Sequence, residues 1–210
     1  MADWYRRQTW TEVDEKEFFE KLGRARKDGR AQYLRIQAVT LIDTYDKNLL
    51  KVAETLLSKM LKEYPENNFE RGSALYSLGD ISKRFEDYDT AIDYYKQALD
   101  FEKIYPQVKT MAYLDYSELV VRKGYSELFG KLERILLKRY SGLLFPVEKY
   151  KVNSLLSIIC KHKNDNEKAK YYATVAEENA NAEISGLRYH KYLGVVTKRE
   201  TWLDKLVENK

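Results

Sequence analysis

The three prolines of the chain recur at a nearly constant interval. They stand at Pro65, Pro106 and Pro146, 41 and 40 residues apart, and each one follows a tyrosine or a phenylalanine. A proline disfavours helical geometry in the residue before it, so each one predicts a break between helices. An interval of this length is typical of repeat proteins built from stacked helix pairs.

A helical packing face repeats on the same period. In the stretch DYDTAIDYYKQAL, Ala91, Tyr95 and Ala98 lie at positions i, i+4 and i+7, which places them on one face of a helix. Three other stretches, 37 to 41 residues from their neighbours, show this spacing: Ala53, Leu57 and Met60; Leu128, Leu132 and Ile135; and Ala169, Ala173 and Ala176. We therefore expect four packing helices, each preceded by another helix across a turn.

A glycine lies in the middle of the helix that precedes DYDTAIDYYKQAL. The stretch RGSALYSLGDISKRF carries Gly79 among residues with helical spacing. Glycine inside a helix costs about 1 kcal/mol relative to alanine. A helix that keeps one predicts the close approach of a neighbouring backbone at Gly79. The polar stretch RFEDYD, which contains Tyr88, is the expected turn between the two helices.

These residues resemble one unit of the tetratricopeptide repeat, a helix-turn-helix of about 34 residues. The positions that match the family pattern are Leu75, Leu78, Gly79, Tyr88, Ala91, Tyr95 and Ala98, whereas Ser82 stands where the family has a tyrosine. The other units match less well, as is usual for the ends of a stack. The N-terminal pattern is similar to that of a bacterial group of such proteins, some of which are immunity factors encoded beside toxins.

The resemblance implies an all-α fold, namely a right-handed superhelix of antiparallel helix pairs (a TPR-like α-solenoid) that forms one domain. We expect four repeats, over residues 31–68, 69–108, 109–146 and 147–185. Residues 1–30 are predicted to form an N-terminal capping helix, begun by a cap at Thr11 and Asp14 and packed through Phe18, Leu22 and Ala25.

Residues 186–210 are predicted to form a C-terminal helix pair that caps the stack. The stretch YHKYLGVV contains a second Leu-Gly pair, Leu193 and Gly194, as in the first helix of the repeat, and TWLDKLVENK is predicted to be a closing helix.

The composition favours a protein of the cytoplasm. The chain has 37 basic and 33 acidic residues, and the net charge of +4 is small for a nucleic-acid-binding protein. The densest basic stretch, GRARKDGR at 23–30, is interpreted as the basic end of a helix and a loop. With Cys160 as its single cysteine, the chain cannot form an internal disulfide. The start has no apolar signal region, and no apolar run is long enough to cross a membrane.

The sequence contains no pattern that favours catalysis. Gly-rich phosphate-binding motifs are absent, and His162 and His190 are 28 residues apart, outside any metal-ligand motif. Cys160 and His162 are two residues apart, so on a helix they point to different faces and cannot pair. We therefore predict a protein that is not an enzyme and that has no cofactor and no metal.

The function is predicted to be binding of a protein or peptide on the concave face of the stack, which the first helix of each pair lines. Basic side chains dominate that face, so the partner is expected to be acidic, and the chain is expected to act as an adaptor or a toxin-immunity protein. The predicted partner-binding residues are Arg35, Tyr76, Asp80, Lys83, Arg84, Tyr113, Ser117, Lys151, Lys161, Arg188 and Lys191.

Two alternatives bear on this prediction. A nucleic-acid-binding regulator could use the same basic face, although the weak net charge disfavours nucleic acid. Family members that hold a C-terminal carboxylate use an asparagine midway along the first helix, where this chain has Val39, Asp80 and Ser117. The resemblance therefore does not favour that kind of ligand. The oligomeric state is left open.

Overall fold

A computed structural model describes residues 3–208, with Glu208 described by its backbone alone. These residues form ten α-helices and no strand, which confirms the all-α class. The helices are α1 (Glu12–Arg24), α2 (Arg30–Ile42), α3 (Lys47–Glu63), α4 (Asn68–Arg84), α5 (Tyr88–Ile104), α6 (Ala112–Lys123), α7 (Phe129–Tyr140), α8 (Pro146–His162), α9 (Asn166–Ala180) and α10 (Thr201–Glu208). None of them combines the length and apolar character that a bilayer crossing requires.

The chain divides into two compact units, Met1–Ala112 and Tyr113–Lys210. This division differs from the single domain expected from the repeat. Contacts are most extensive between sequential helices: α2 with α3, and α4 with α5, in the first unit, and α8 with α9 in the second. Helix pairs of this kind bury most of their apolar surface against the immediate neighbour, so contacts concentrate locally along the chain.

The first unit buries the packing faces expected from the sequence. Ala53, Leu57 and Met60 of α3 are completely buried, and so are Ala91, Tyr95 and Ala98 of α5. Both helices begin at an aspartate whose carboxylate accepts backbone N–H groups of the first turn, Asp46 in α3 and Asp87 in α5.

The N-terminal helix is capped as predicted. The Thr11 hydroxyl accepts the Asp14 amide at 3.2 Å, and the Asp14 carboxylate accepts the Thr11 amide at 2.9 Å. Phe18 and Leu22 are buried, whereas Ala25 is the half-buried last residue of the helix. Residues 3–10 are fixed to α2, because the Gln37 side chain exchanges two hydrogen bonds, of 2.9 and 2.7 Å, with the backbone of Arg7.

Three of the tight turns between helices have one geometry. Glu86, Gly124 and Asn164 have φ values of 64°, 74° and 62°, and each follows the last turn of a helix. The next residue in each turn donates its amide to the carbonyl five positions earlier, as Asp87 does to Ser82 at 3.0 Å. The residue at positive φ donates to the carbonyl three positions earlier, which completes a Schellman turn. The repeat is therefore visible in backbone geometry as well as in sequence.

The second unit is built around α8. Leu155, Leu156 and Ile159 in this helix are completely buried, and Leu132 of α7 is completely buried as well. The packing face expected at 128–135 begins one turn late, because residues Ser126–Leu128 form a 3-10 turn and α7 begins at Phe129.

The prediction of a C-terminal helix pair is wrong in its first half. Residues 181–200 contain turns and bends and no helix, and only α10 forms. Gly194 has a φ of 72°, which a helix does not use, and its carbonyl accepts the Val147 amide at 2.8 Å. A Cβ at Gly194 would lie 2.5 Å from the Phe145 side chain. This Leu-Gly pair is therefore a turn held against the start of α8.

Candidate binding surfaces

Two of the predicted binding residues in the first unit are engaged within the fold. The Arg35 guanidinium on α2 donates to the Glu70 carboxylate on α4. Arg84, at the end of α4, donates to the Ile42 carbonyl at 2.6 Å and lies 4.4 Å from the centroid of the Tyr45 ring. A cation at this carbonyl compensates the negative end of α2. Both arginines therefore have a stabilising role where the structure places them.

Three more predicted residues lie along α4 beside Tyr95. Asp80 accepts the Tyr95 hydroxyl at 2.6 Å, and the Tyr76 ring lies 5.7 Å from the Tyr95 ring. Tyr76, Asp80 and Lys83 are all half-buried. The structure thus brings them together at the junction of α4 and α5, and part of their surface remains open to solvent.

In the second unit, two predicted residues lie inside the core. Tyr113 is 5% exposed, and Ser117 is completely buried with its hydroxyl donating to the Tyr113 carbonyl at 2.7 Å. Burial raises the pKa of the Tyr113 phenol to about 12. A partner cannot reach Ser117 in this structure, because α6 turns that side inward, so its assignment to a binding face is wrong.

The expected excess of basic charge is reduced by carboxylates on adjacent helices. The Lys151 ammonium on α8 lies 2.9 Å from Glu118 on α6 and 3.9 Å from Glu200. Glu118 and Glu70 are nearly buried, so they meet the basic residues from below and neutralise them. Lys161 is half-buried, and its ammonium has no ionic or hydrogen-bonded partner in the part of the chain that the structure describes.

The predicted residues Arg188 and Lys191 lie together on an exposed segment, residues 184–193, here named the C-terminal loop. The loop is closed at its base, because Ser185 donates its amide to the Lys191 carbonyl at 2.6 Å and its hydroxyl to the His190 carbonyl at 2.8 Å. The large apolar side chains on the loop are largely exposed, 54% for Ile184, 80% for Tyr189, 76% for Tyr192 and 53% for Leu193.

The charge around the C-terminal loop has one sign. Residues 184–199 contain two arginines and two lysines and no aspartate or glutamate. Arg199 is engaged with Glu177 and Asp204, whereas the Arg188 guanidinium lies 5.2 Å from the centroid of the Tyr189 ring. Exposed tyrosine and arginine side chains beside aliphatic ones are the composition of protein-binding hot spots.

A second surface, which the sequence prediction did not include, is an open groove in the first unit, here named the N-terminal groove. Its volume is about 700 Å³, and the residues that line it are Trp4, Lys21, Arg24, Ala25, Arg26, Asp28, Gly29, Gln32 and Tyr33. The basic stretch 23–30 was recognised in the sequence only as a helix end. The aromatic wall comes from residues distant in the sequence, which no local pattern reveals.

The cysteine and the histidine near it have structural surroundings. Cys160 is buried, and burial raises the pKa of its thiol, which keeps the thiol protonated. The His162 ring lies 5.0 Å from the Phe129 ring in an edge-to-face contact. Within residues 3–208, no three His, Cys, Asp or Glu side chains are grouped so that they could hold a metal ion.

Comparison with models of known protein families, with curated proteins and with solved structures finds no match to this chain. The helices packed in neighbouring pairs are compatible with a helical repeat.

Proposed function

We propose that this chain is a non-enzymatic protein-interaction module that binds an acidic protein partner, and that its helix pairs are divergent tetratricopeptide-like units. The observation that carries the proposal is the C-terminal loop. This loop combines four exposed large apolar side chains with Arg188 and Lys191, and no acidic residue lies within it. Exposed apolar groups of this size beside one sign of charge favour a partner surface with apolar groups and carboxylates.

The loop is also suited to binding because its backbone is held. The two hydrogen bonds from Ser185 close it, and Gly194, immediately after it, is fixed to the start of α8. A loop that is ordered before binding loses less conformational entropy when a partner docks. An adaptor and a toxin-immunity protein would both use such a surface, and identifying the partner decides between these two roles.

The test is capture of partners from the native cells by the whole chain, followed by cross-linking to map the contact. The variant Arg188→Glu with Lys191→Glu reverses the loop charge, and Lys138→Glu with Lys170→Glu is the matched control, because both of these lysines are exposed on α7 and α9. We expect a partner that the control retains and the loop variant loses, cross-linked through an acidic segment. Equal retention by both variants would refute the proposal.

A second candidate function is binding of single-stranded nucleic acid. Tyr189 and Tyr192 are exposed rings interleaved with basic side chains, an arrangement on which bases can stack. Binding of this kind weakens steeply as salt rises. Titration with a labelled oligothymidylate at low and at high salt separates the two candidates, because the acidic-partner function requires no binding of this probe.

A further inference from the structure

From the geometry of the N-terminal groove we infer a second binding site, one that takes a peptide segment carrying several negative charges close together. This site extends the proposed function to another surface of the chain, and it does not depend on the C-terminal loop. Neither the repeat pattern nor the predicted binding residues include it.

The cations of the groove are available for a ligand. Lys21 and Arg26 are exposed, and neither has an ionic or hydrogen-bonded side-chain partner within residues 3–208. Arg24 is 79% exposed, and its guanidinium lies 3.7 Å from Glu20. Asp28 is the one acidic residue among those that line the groove, so the lining has a net positive charge. Clustered basic side chains of this kind recognise carboxylate or phosphate groups.

These basic side chains do not serve to cap the end of α1. That role belongs to Arg30, whose guanidinium donates to the Ala25 carbonyl at 3.0 Å and to the Gly23 carbonyl at 2.5 Å. Arg30 therefore offsets the negative end of the helix dipole. Lys21, Arg24 and Arg26 are left facing the groove, where helix capping gives no reason for them.

The aromatic wall favours a peptide over a nucleic-acid base. The Trp4 ring lies 5.0 to 5.4 Å from the rings of Tyr5, Phe18 and Tyr33, in tilted or edge-to-face contacts. A base stacking on Trp4 would have to compete with these neighbours for the ring. Apolar side chains of a peptide, in contrast, can pack against the exposed ring edges while its acidic groups meet the cations.

The groove is formed before any ligand binds. Arg7, three residues after Trp4, is held by Gln37 through the two backbone contacts described above, and its guanidinium donates to Asp14 and to Glu17 at 2.6 Å each. The wall that Trp4 forms is thus attached to both α1 and α2. An open, preformed groove of this volume suits a short extended segment, whereas enclosed pockets bury most of a small ligand.

The probes that test this inference are short fluorescent peptides added to the whole chain. One peptide is rich in glutamate with a phenylalanine among them, one has phosphoserine in place of the glutamates, and a neutral one has glutamine. The groove variant is Lys21→Glu with Arg26→Glu. The matched control is Lys47→Glu with Lys51→Glu, which reverses two exposed charges in the same unit away from the groove.

We expect the glutamate or the phosphoserine peptide to bind and the glutamine peptide not to bind. The groove variant should weaken that binding about tenfold, and the control should leave it unchanged. The stronger of the two acidic probes identifies the source of the charge. A peptide titration of the wild-type chain should also shift the indole N–H resonance of Trp4 and leave that of Trp202 in place, a readout that does not depend on the folding of any variant.

Three results would overturn the inference. These are no binding of either acidic peptide, equal binding by the groove variant and the wild type, and tighter binding of an oligothymidylate that the groove variant abolishes. Failure of the groove is distinguishable from failure of the proposed function, because the variant Arg188→Glu with Lys191→Glu alters the other unit and should leave this peptide binding intact.

Discussion

The Tyr95 ring on α5 fills the space that a side chain at position 79 on α4 would need. A Cβ built on Gly79 would lie 2.5 Å from the ring, closer than real Cβ atoms approach. The contact comes from an aromatic side chain, whereas the sequence prediction had a neighbouring backbone in this place. Tyr95 is completely buried and donates its hydroxyl to Asp80, so the ring has little freedom to move away.

We expect Gly79→Ala to destabilise the first unit by about 1–3 kcal/mol, the usual cost of overpacking a well-filled core. Gly130→Ala is the matched control, because Gly130 lies in α7 and a Cβ added there would meet nothing within 4 Å, so alanine should stabilise by up to about 1 kcal/mol. Urea unfolding followed by circular dichroism measures both. Equal effects of the two substitutions would show that helix propensity, and not Tyr95, decides the outcome.

The Schellman turns give a second prediction, with opposite signs at equivalent positions. Glu86 adopts a φ of 64° with a side chain that disfavours it, whereas Gly124 adopts 74° without that cost. Glu86→Gly should therefore be neutral or stabilise by up to about 1 kcal/mol, and Gly124→Ala should destabilise by about 1 kcal/mol. Thermal unfolding of the two variants tests this. A Glu86→Gly variant that loses more stability than Gly124→Ala would contradict the shared geometry.

How far the sequence predicts this fold is clear from two Leu-Gly pairs. Leu78 and Gly79 sit among residues with helical spacing that continues for four turns, so their helix was predictable. Leu193 and Gly194 repeat the pair without that periodicity, and there Gly194 serves a positive φ and a close approach to Phe145. Local identity of two residues does not specify a helix when no apolar stripe needs burial.

The candidate binding residues were harder to predict, because charge pairing depends on tertiary structure. Arg35 and Lys151 look like free cations in a helical register. Their partners, Glu70 and Glu118, lie on other helices and point at them from nearly buried positions. Arg188 and Lys191 remain exposed because they lie on a loop with no carboxylate in it. Register predicts which way a side chain points, and only the packed structure shows what it meets.

The cap of α1 predicts a specific pH dependence. The Thr11 amide and hydroxyl, together with the Arg7 guanidinium, lower the pKa of Asp14 from 3.8 to about 2. The folded chain thus keeps Asp14 ionised where the unfolded chain protonates it, so this stabilisation is complete above about pH 4 and disappears as the pH falls to about 2.

Asp14→Asn removes the ionised carboxylate, so it should lower the melting temperature near neutral pH, and its difference from the wild type should shrink between about pH 4 and about pH 2. Glu15→Gln is the control, since it removes a charge from the same helical turn without touching the hydrogen bonds of Thr11. A melting difference for Asp14→Asn that stays constant over this pH range would mean that the carboxylate charge does not act through the cap.

Arg199 fastens the last helix to α9, and its removal should release that helix without unfolding the rest. The guanidinium donates to the two Glu177 oxygens at 2.9 and 2.5 Å and to Asp204 on α10 at 3.0 Å. Because its side chain is 37% exposed, we expect Arg199→Ala to cost about 1–2 kcal/mol of local opening free energy. Hydrogen exchange of α10 should accelerate accordingly, while exchange in α4 and α5 stays the same. Arg199→Lys keeps the charge but not the forked geometry, so it should recover only part of the loss. Arg188→Ala, which removes an arginine from the loop, should leave α10 exchange unchanged, and acceleration by that variant as well would assign the effect to net charge.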